Sequence, residues 1–148
     1  MAQSAESGRL PIMARGQRQA WLVMGDLKSK IGASKAGRRF IAQMRYYNDG
    51  DFRKLRGFMH SGYYDLVLME NPVERRLLDL KATRRLHGRL KVAAVETAED
   101  YGIQLIMKSE KGGARLRMRM KVNESYPHQI THYSLEPIEG GTDGGCEG

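Results

Sequence analysis

The stretch from Arg115 to Val122 alternates without a break between cationic and apolar residues. The cationic positions are Arg115, Arg117, Arg119 and Lys121, and the apolar ones are Leu116, Met118, Met120 and Val122. A period of two over eight residues is typical of a half-buried β-strand, whose successive side chains point to opposite faces of a sheet. The segment therefore predicts a sheet with apolar packing on one face and a line of positive charge on the other.

Bulk properties fit one globular domain with extensions at its ends. The chain has 148 residues, of which 41% are hydrophobic and 28% charged, and its single cysteine, Cys146, cannot form an internal disulfide. A domain of this size buries roughly two thirds of its unfolded surface, so its stability requires neither a disulfide nor a metal. No apolar run approaches the ~20 residues that span a bilayer, and residues 20–24 are too short for a secretory signal core. We therefore expect a cytoplasmic protein with no membrane association and no cofactor.

Charge and composition divide the chain into three parts. The formal net charge is +8, and residues 1–36 contribute half of it through six basic and two acidic groups. We expect residues 1–33 to be a basic, flexible segment, because an apolar cluster around Trp21 is too small to offset the ordering entropy unless it docks. Residues 34–138 are predicted to form a single α+β domain, and residues 139–148 a flexible glycine-rich tail.

Two helices are predicted ahead of the strands. The side chains of Ser34 and Asp51 can accept hydrogen bonds from the first turn of a helix, and apolar residues follow each of them at helical spacing. The two helices are expected to end at Gly50 and Gly62. Residues 63–69 are apolar and β-prone, and fit either a short strand or a continued helix.

A third helix has the clearest start signal in the chain. Asn71 is its predicted N-cap, and Pro72 suits the first helical position, where the missing N–H costs nothing. The helix is expected to end by Gly88. Phe40, Met44 and Leu78 are expected to pack against the alternating strand, and the predicted apolar face of the third helix is Leu77, Leu78, Ala82 and Leu86.

After Gly88 the hydrophobic period changes to two. Strands are predicted at residues 90–97, 101–109, 114–122 and 128–136, and the connections between them are short enough for antiparallel hairpins. The predicted fold class is therefore α+β, with N-terminal helices packed on one face of a curved antiparallel sheet of four or more strands.

Several short motifs resemble those of a known superfamily. Tyr47-Asn48-Asp49-Gly50-Asp51 lies between the first two helices, Gly88 opens a strand, and Pro127-His128-Gln129-Ile130 opens the last strand. This order resembles the cone-shaped nuclear transport factor two-like and SnoaL-like folds. It is most similar to the small accessory domain that precedes the catalytic domain of some tail-specific serine peptidases and β-lactamase-like serine hydrolases. The resemblance covers residues 34–138 and implies an accessory role without peptidase activity, since the chain has no Gly-x-Ser-x-Gly or Ser-x-x-Lys sequence.

The first candidate site is the cationic face of the alternating strand. It consists of Arg115, Arg117, Arg119 and Lys121, and Lys91 and Lys108 can extend it on neighbouring strands. Arginine is a good bidentate partner for phosphates and carboxylates, and few acids are expected nearby, so this face predicts anion binding. The alternative is an ordinary solvated face. Nucleic acid is a less favoured ligand, since stacking aromatics are absent from these positions.

The second candidate site would belong to a small cavity enzyme of the isomerase or cyclase type. Such an enzyme needs an acid or base inside an apolar cavity, where desolvation shifts its pKa toward neutrality. The candidates are Tyr47, His60, Tyr63, Tyr64 and Asp65. No metal site is predicted, because the histidines lack metal-binding spacing.

The sequence favours a non-catalytic binding or accessory module over the enzyme and over a nucleic-acid binder. The expected partner is an unidentified protein or an acidic ligand. A homodimer formed through the sheet is left open.

Overall fold

The computed structural model describes residues 28–138. The predictions for the Trp21 cluster, the glycine-rich tail and Cys146 lie outside these residues. The helices are α1 (Lys35–Asp49), α2 (Phe52–Gly62), α3 (Asp65–Glu70) and α4 (Val73–His87), and residues 28–32 are also helical. The strands are β1 (Leu90–Glu99), β2 (Gly102–Ser109), β3 (Arg115–Val122) and β4 (Ile130–Pro137).

The four strands form one open antiparallel sheet in chain order, β1-β2-β3-β4. The predicted α+β class is confirmed, because the helices precede the sheet and α1 crosses one face of β1, β2 and β3. The pairing of β1 with β2 shifts register twice, between Val92 and Ala94 and between Val95 and Thr97. Glu96 therefore has no directly opposite residue on β2.

The apolar side of β3 is buried, as the alternation predicts. Its four side chains are at most 5% exposed and pack in one core with Phe40 and Met44 of α1 and Leu105 and Met107 of β2. The core also includes Ile31, so the packed part of the chain begins before the predicted boundary at Ser34. We call this helix-covered side of the sheet the inner face and the other side the outer face.

Both predicted N-caps of the first two helices are confirmed. The Oγ atom of Ser34 accepts a hydrogen bond from the Gly37 N–H at 2.7 Å, and Oδ1 of Asp51 accepts one from the Lys54 N–H at 3.1 Å. Gly50 ends α1 with a φ of 72°, in the left-handed region that favours glycine. These local signals therefore determine where α1 and α2 begin and where α1 ends.

The segment after α2 is neither a strand nor a continuation of α2, the two predicted alternatives. Tyr63 forms an isolated parallel bridge with Ile130, and α3 follows as a six-residue helix. The Tyr64 N–H donates to the Ile130 carbonyl at 2.9 Å. The bridge therefore ties the end of α2 to the start of β4.

Two predicted details of α4 are wrong. The helix begins after Pro72, no side chain caps its first turn, and Oδ1 of Asn71 is buried without a partner. Leu78 is 66% exposed, whereas Leu77 and Leu80 face the core. The helix has apolar residues on two opposite sides, so spacing alone does not determine which side is buried. The exposed side consists of Leu78, Ala82 and Leu86.

The end of α1 is joined to the connection between α4 and β1. Arg84 donates from Nε to the Tyr47 carbonyl and from Nη2 to the Asn48 carbonyl, both at 2.9 Å. The Asn48 side chain accepts from the Leu90 N–H at 2.9 Å and donates to the Leu90 carbonyl at 3.0 Å. Segments about 40 residues apart therefore supply the hydrogen bonds that the last carbonyls of a helix need.

Candidate functional site

A network of hydrogen bonds and ion pairs runs across all four strands on the outer face. Glu96 on β1 accepts two hydrogen bonds from the Arg117 guanidinium, at 2.8 and 3.0 Å, and one from Gln104 Nε2 at 2.7 Å. Gln104 in turn accepts from Arg119 Nε at 2.9 Å, and Arg119 Nη1 lies 3.9 Å from Glu136 Oε1 on β4. Two of the arginines predicted to bind an anion are therefore already engaged by side chains of the same sheet.

This network corrects the expectation that acids are few on this face. Hydrogen bonds from Arg117, and to a smaller extent from Gln104, lower the pKa of Glu96 to about 2. The Arg117–Glu96 pair links β3 to β1 and so crosses the intervening strand β2. Ile106 on β2 stands opposite both Ala94 and Arg117 and is only 7% exposed on this outer face. The pair thus spans the sheet beside an apolar side chain that it helps to cover.

Three other cations lie side by side across the strands. Lys91 on β1 is directly opposite Lys108 on β2, and Lys108 is directly opposite Arg115 on β3. Neighbouring strands are about 4.8 Å apart, so the three side chains begin within about 10 Å of one another. All three are exposed, and none forms an ion pair with any residue between 28 and 138. We call Lys91, Lys108 and Arg115 the cation row.

The cation row is not explained by the stability of the fold. Like charges directly opposite each other on neighbouring strands are destabilising, whereas the arginines of the network are compensated. Side chains in such a row can bind one anionic group together through charge-assisted hydrogen bonds. Lys121, the last member of the predicted stripe, lies at the far end of β3 opposite His132. The predicted stripe is thus divided, and only Arg115 belongs to the row.

A groove of about 760 Å³ adjoins the cation row. Lys91, Lys108 and Arg89 form part of its wall, together with the acidic residues Asp49 and Glu110. One carboxylate oxygen of Glu110 is already engaged, since its Oε1 accepts a hydrogen bond from the Arg89 N–H at 3.1 Å. The groove therefore offers cations on the side of the row and carboxylates on the side of the helix ends.

The residues of the predicted enzyme pocket occupy different environments. Tyr47 and Tyr63 are fully buried, and their hydroxyls donate to the Gly88 carbonyl at 2.8 Å and to Gln43 Oε1 at 2.6 Å. Burial raises the pKa of Tyr47 to about 12. His60, Tyr64 and Asp65 are exposed. The imidazole and the carboxyl group therefore lack the apolar surroundings that this type of catalysis needs.

A cavity that the sequence reasoning missed lies between α2, α4 and β4. Tyr63 lines it, together with Asn71, Arg76 and Tyr133, none of which was a candidate. One feature of the sequence points to buried polar groups near the cavity. Gln43 is a polar residue on the apolar side of α1, between Phe40 and Met44. The lining residues come together only through the tertiary placement of α4 relative to β4, and periodicity does not determine this.

Within residues 28–138, no three His, Cys, Asp or Glu side chains are grouped so as to hold a metal ion. Over the same range, the helices are too short or too polar to cross a membrane.

Comparisons of the chain with protein-family models, curated proteins and solved structures find no match. The resemblance to nuclear transport factor two-like folds therefore stays a prediction. The function has to be inferred from the geometry of the outer face and of the cavity.

Proposed function

We propose that the chain is a non-catalytic binding module that holds an acidic segment of a partner protein on its outer face. The observation that carries this proposal is the cation row, in which Lys108 stands directly opposite Lys91 on one neighbouring strand and Arg115 on the other. All three cations are exposed and form no ion pair with residues 28–138. Their mutual repulsion is relieved when carboxylates bind between them. The self-compensated network next to the row supports the same view, because Arg117 and Arg119 are engaged by side chains of the sheet. Lys121 is also exposed on this face, but it lies apart from the row at the far end of β3.

The surroundings of the row favour an acidic protein segment over nucleic acid. The row is about 10 Å long, which suits a few carboxylates from one short segment. Asp49 and Glu110 line the adjoining groove and repel a long polyanion that extends into it. The outer side chains that flank the row on β2 and β3 are Ile106 and Arg117, neither of which offers an aromatic surface for base stacking.

The test measures binding of a fluorescent hexaglutamate peptide to the full chain. The row variant K91Q/K108Q/R115Q should bind the peptide about tenfold or more weakly, corresponding to at least about 1.4 kcal/mol. The matched control R45Q/R53Q/R75Q removes the same charge from exposed helix positions that form no ion pair with residues 28–138. Because isolated surface charges contribute little, its affinity should stay within about twofold of the unmodified chain.

The outcomes separate the alternatives. Equal losses in the row variant and the control would mean that the peptide senses only net charge, and unchanged binding by the row variant would contradict the proposal. A third variant, R9Q/R15Q/R18Q, measures the share contributed by the basic N-terminal segment. A DNA oligonucleotide that binds more tightly than the peptide, with a steep salt dependence lost in the row variant, would favour nucleic acid instead.

A further inference from the structure

The cavity between α2, α4 and β4 lies on the helix-covered side of the sheet, away from the cation row. Its volume is about 180 Å³. Its lining combines apolar side chains with polar ones: Met59, Leu80 and Leu135 supply hydrocarbon surface, and Asn71, Arg76 and Tyr133 supply polar groups. A pocket of mixed lining, with a few polar groups that fix orientation, is typical of small-molecule sites.

Polar atoms at this cavity are buried without hydrogen-bond partners. They are the Tyr133 hydroxyl and Oδ1 of Asn71, and a third unpartnered atom is Nε2 of Gln43, the residue that accepts the Tyr63 hydroxyl bond. Buried polar groups are nearly always paired, because an unpaired one retains its desolvation penalty. Tyr133 and Asn71 line the cavity, whereas Gln43 does not, so a molecule held there can supply partners for the first two atoms.

The Tyr133 hydroxyl is suited to donate a hydrogen bond. Burial raises its pKa above the ordinary value of 10.0, although the nearby Gln43 side chain partly offsets this effect. The hydroxyl therefore keeps its proton at neutral pH. Gln43 does not itself satisfy the hydroxyl, because neither its Nε2 nor the hydroxyl has a partner in hydrogen-bond geometry.

Arg76 provides a cation that is held in place. Its Nε donates to the Asn71 carbonyl at 2.7 Å and its Nη2 to the Val67 carbonyl at 3.1 Å, while its guanidinium carbon lies 4.9 Å from the centre of the Tyr63 ring. Among residues 28–138, Nη1 of Arg76 makes no hydrogen bond of its own. The exposed Asp79 is the one carboxylate among the lining residues, and it restricts a bound anion to the side of Arg76.

We propose that the cavity binds a small aliphatic carboxylate, with its charged end on Arg76 and the Tyr133 hydroxyl. The hydrocarbon part of the ligand lies against Met59, Leu80 and Leu135. A cavity of about 150 Å³ holds a molecule of six non-hydrogen atoms, so this one takes about six to eight. Asn71 Oδ1 remains to accept a hydrogen bond from a hydroxyl group of the ligand, which favours hydroxy acids.

The test titrates the full ¹⁵N-labelled chain with butyrate and, as a matched neutral probe, butyramide. Butyrate should cause saturable amide shifts around Tyr63, Arg76 and Tyr133, and butyramide should bind about tenfold or more weakly, since hydrogen bonds to a charged group are the stronger ones. The Tyr133→Phe variant should bind butyrate about tenfold more weakly. Its melting temperature should be unchanged or higher, because the change removes a buried hydroxyl without a partner.

Two controls complete the experiment. Tyr126→Phe removes the hydroxyl of a tyrosine that is 88% exposed and should leave butyrate binding unchanged. The row variant K91Q/K108Q/R115Q should bind butyrate as the unmodified chain does, which makes this site independent of the proposed acidic partner. No saturable shift at about 10 mM, equal affinity for the two probes, or full butyrate binding by Tyr133→Phe would each overturn the proposal and assign the unpaired atoms to water.

Discussion

The two faces of β3 place neighbouring residues in opposite environments, one buried in the core and the other exposed to solvent. Met118 and Met120 have no exposed surface and pack in the core. Arg117 and Arg119 lie on the solvent side and form hydrogen bonds with polar side chains of the same sheet. Burial of a large apolar side chain contributes several kcal/mol, and an exposed ion pair contributes about 0–1 kcal/mol. The inner face therefore carries most of the stability, and the outer face can hold unfavourable charge without unfolding the domain.

The largest expected effect tests the inner face. Met118→Ala should lower the free energy of unfolding by about 2–5 kcal/mol, because it removes packed atoms and leaves a cavity. The comparison is Lys121→Ala on the same strand, which faces outward and should change the free energy by less than about 0.5 kcal/mol. Urea unfolding of both variants measures the difference. Equal losses of unfolding free energy in the two variants would show that the inner face does not carry more of the stability than the outer face.

The second expected effect tests the network of the outer face. Glu96→Gln should lower the free energy of unfolding by about 1 kcal/mol at neutral pH, the magnitude of a well-formed exposed pair. The folded pKa of Glu96, about 2, lies below its ordinary value of 4.5, so its contribution is complete above pH 4.5 and is lost as the pH falls toward 2. Urea unfolding at several pH values should therefore show the two proteins converging in acid.

A matched variant isolates this pair from general charge effects. Glu124 is exposed and has no ion pair with residues 28–138. Glu124→Gln should leave the free energy of unfolding nearly unchanged at neutral pH. If Glu96→Gln also leaves the free energy of unfolding unchanged, the Arg117–Glu96 pair contributes nothing measurable to stability.

The smallest expected effect has the opposite sign and tests the cation row. Lys108→Gln should raise the free energy of unfolding by about 0.2–1 kcal/mol, because it removes the central charge of three directly opposed cations. The gain should shrink as sodium chloride is added, since salt screens the repulsion. Arg45→Gln, on the exposed side of α1, serves as the comparison. A loss of stability in Lys108→Gln would mean that Lys108 has favourable contacts that outweigh its repulsion.

Sequence reasoning succeeded where the signal lies within a few residues. Ser34, Asp51 and Gly50 act on the nearest turn of backbone, and the alternation of β3 fixes its buried side in a single strand. The failures at α4 have a different origin. Leu78 and Leu80 both belong to apolar rows of the helix, and the positions of α1 and α2 determine which row is covered.

The candidate sites depend on contacts between strands, which periodicity does not supply. Alternation places Arg115, Arg117 and Arg119 on one face, but it does not show that Glu96 reaches Arg117 across β2. That contact depends on the register shifts of β1. The cavity depends on the packing of α4 beside β4, so Arg76 and Tyr133, 57 residues apart in sequence, gave no joint signal.

The hydrogen bonds that Arg84 and Asn48 form at the end of α1 bear on how the domain opens. Arg84 donates to two of the last carbonyls of α1, and the Asn48 side chain holds the first residue of β1. Fraying of that helix end therefore requires the connection between α4 and β1 to separate as well. We therefore expect amide exchange at the end of α1 to report a joint opening of the helix end and the start of the sheet.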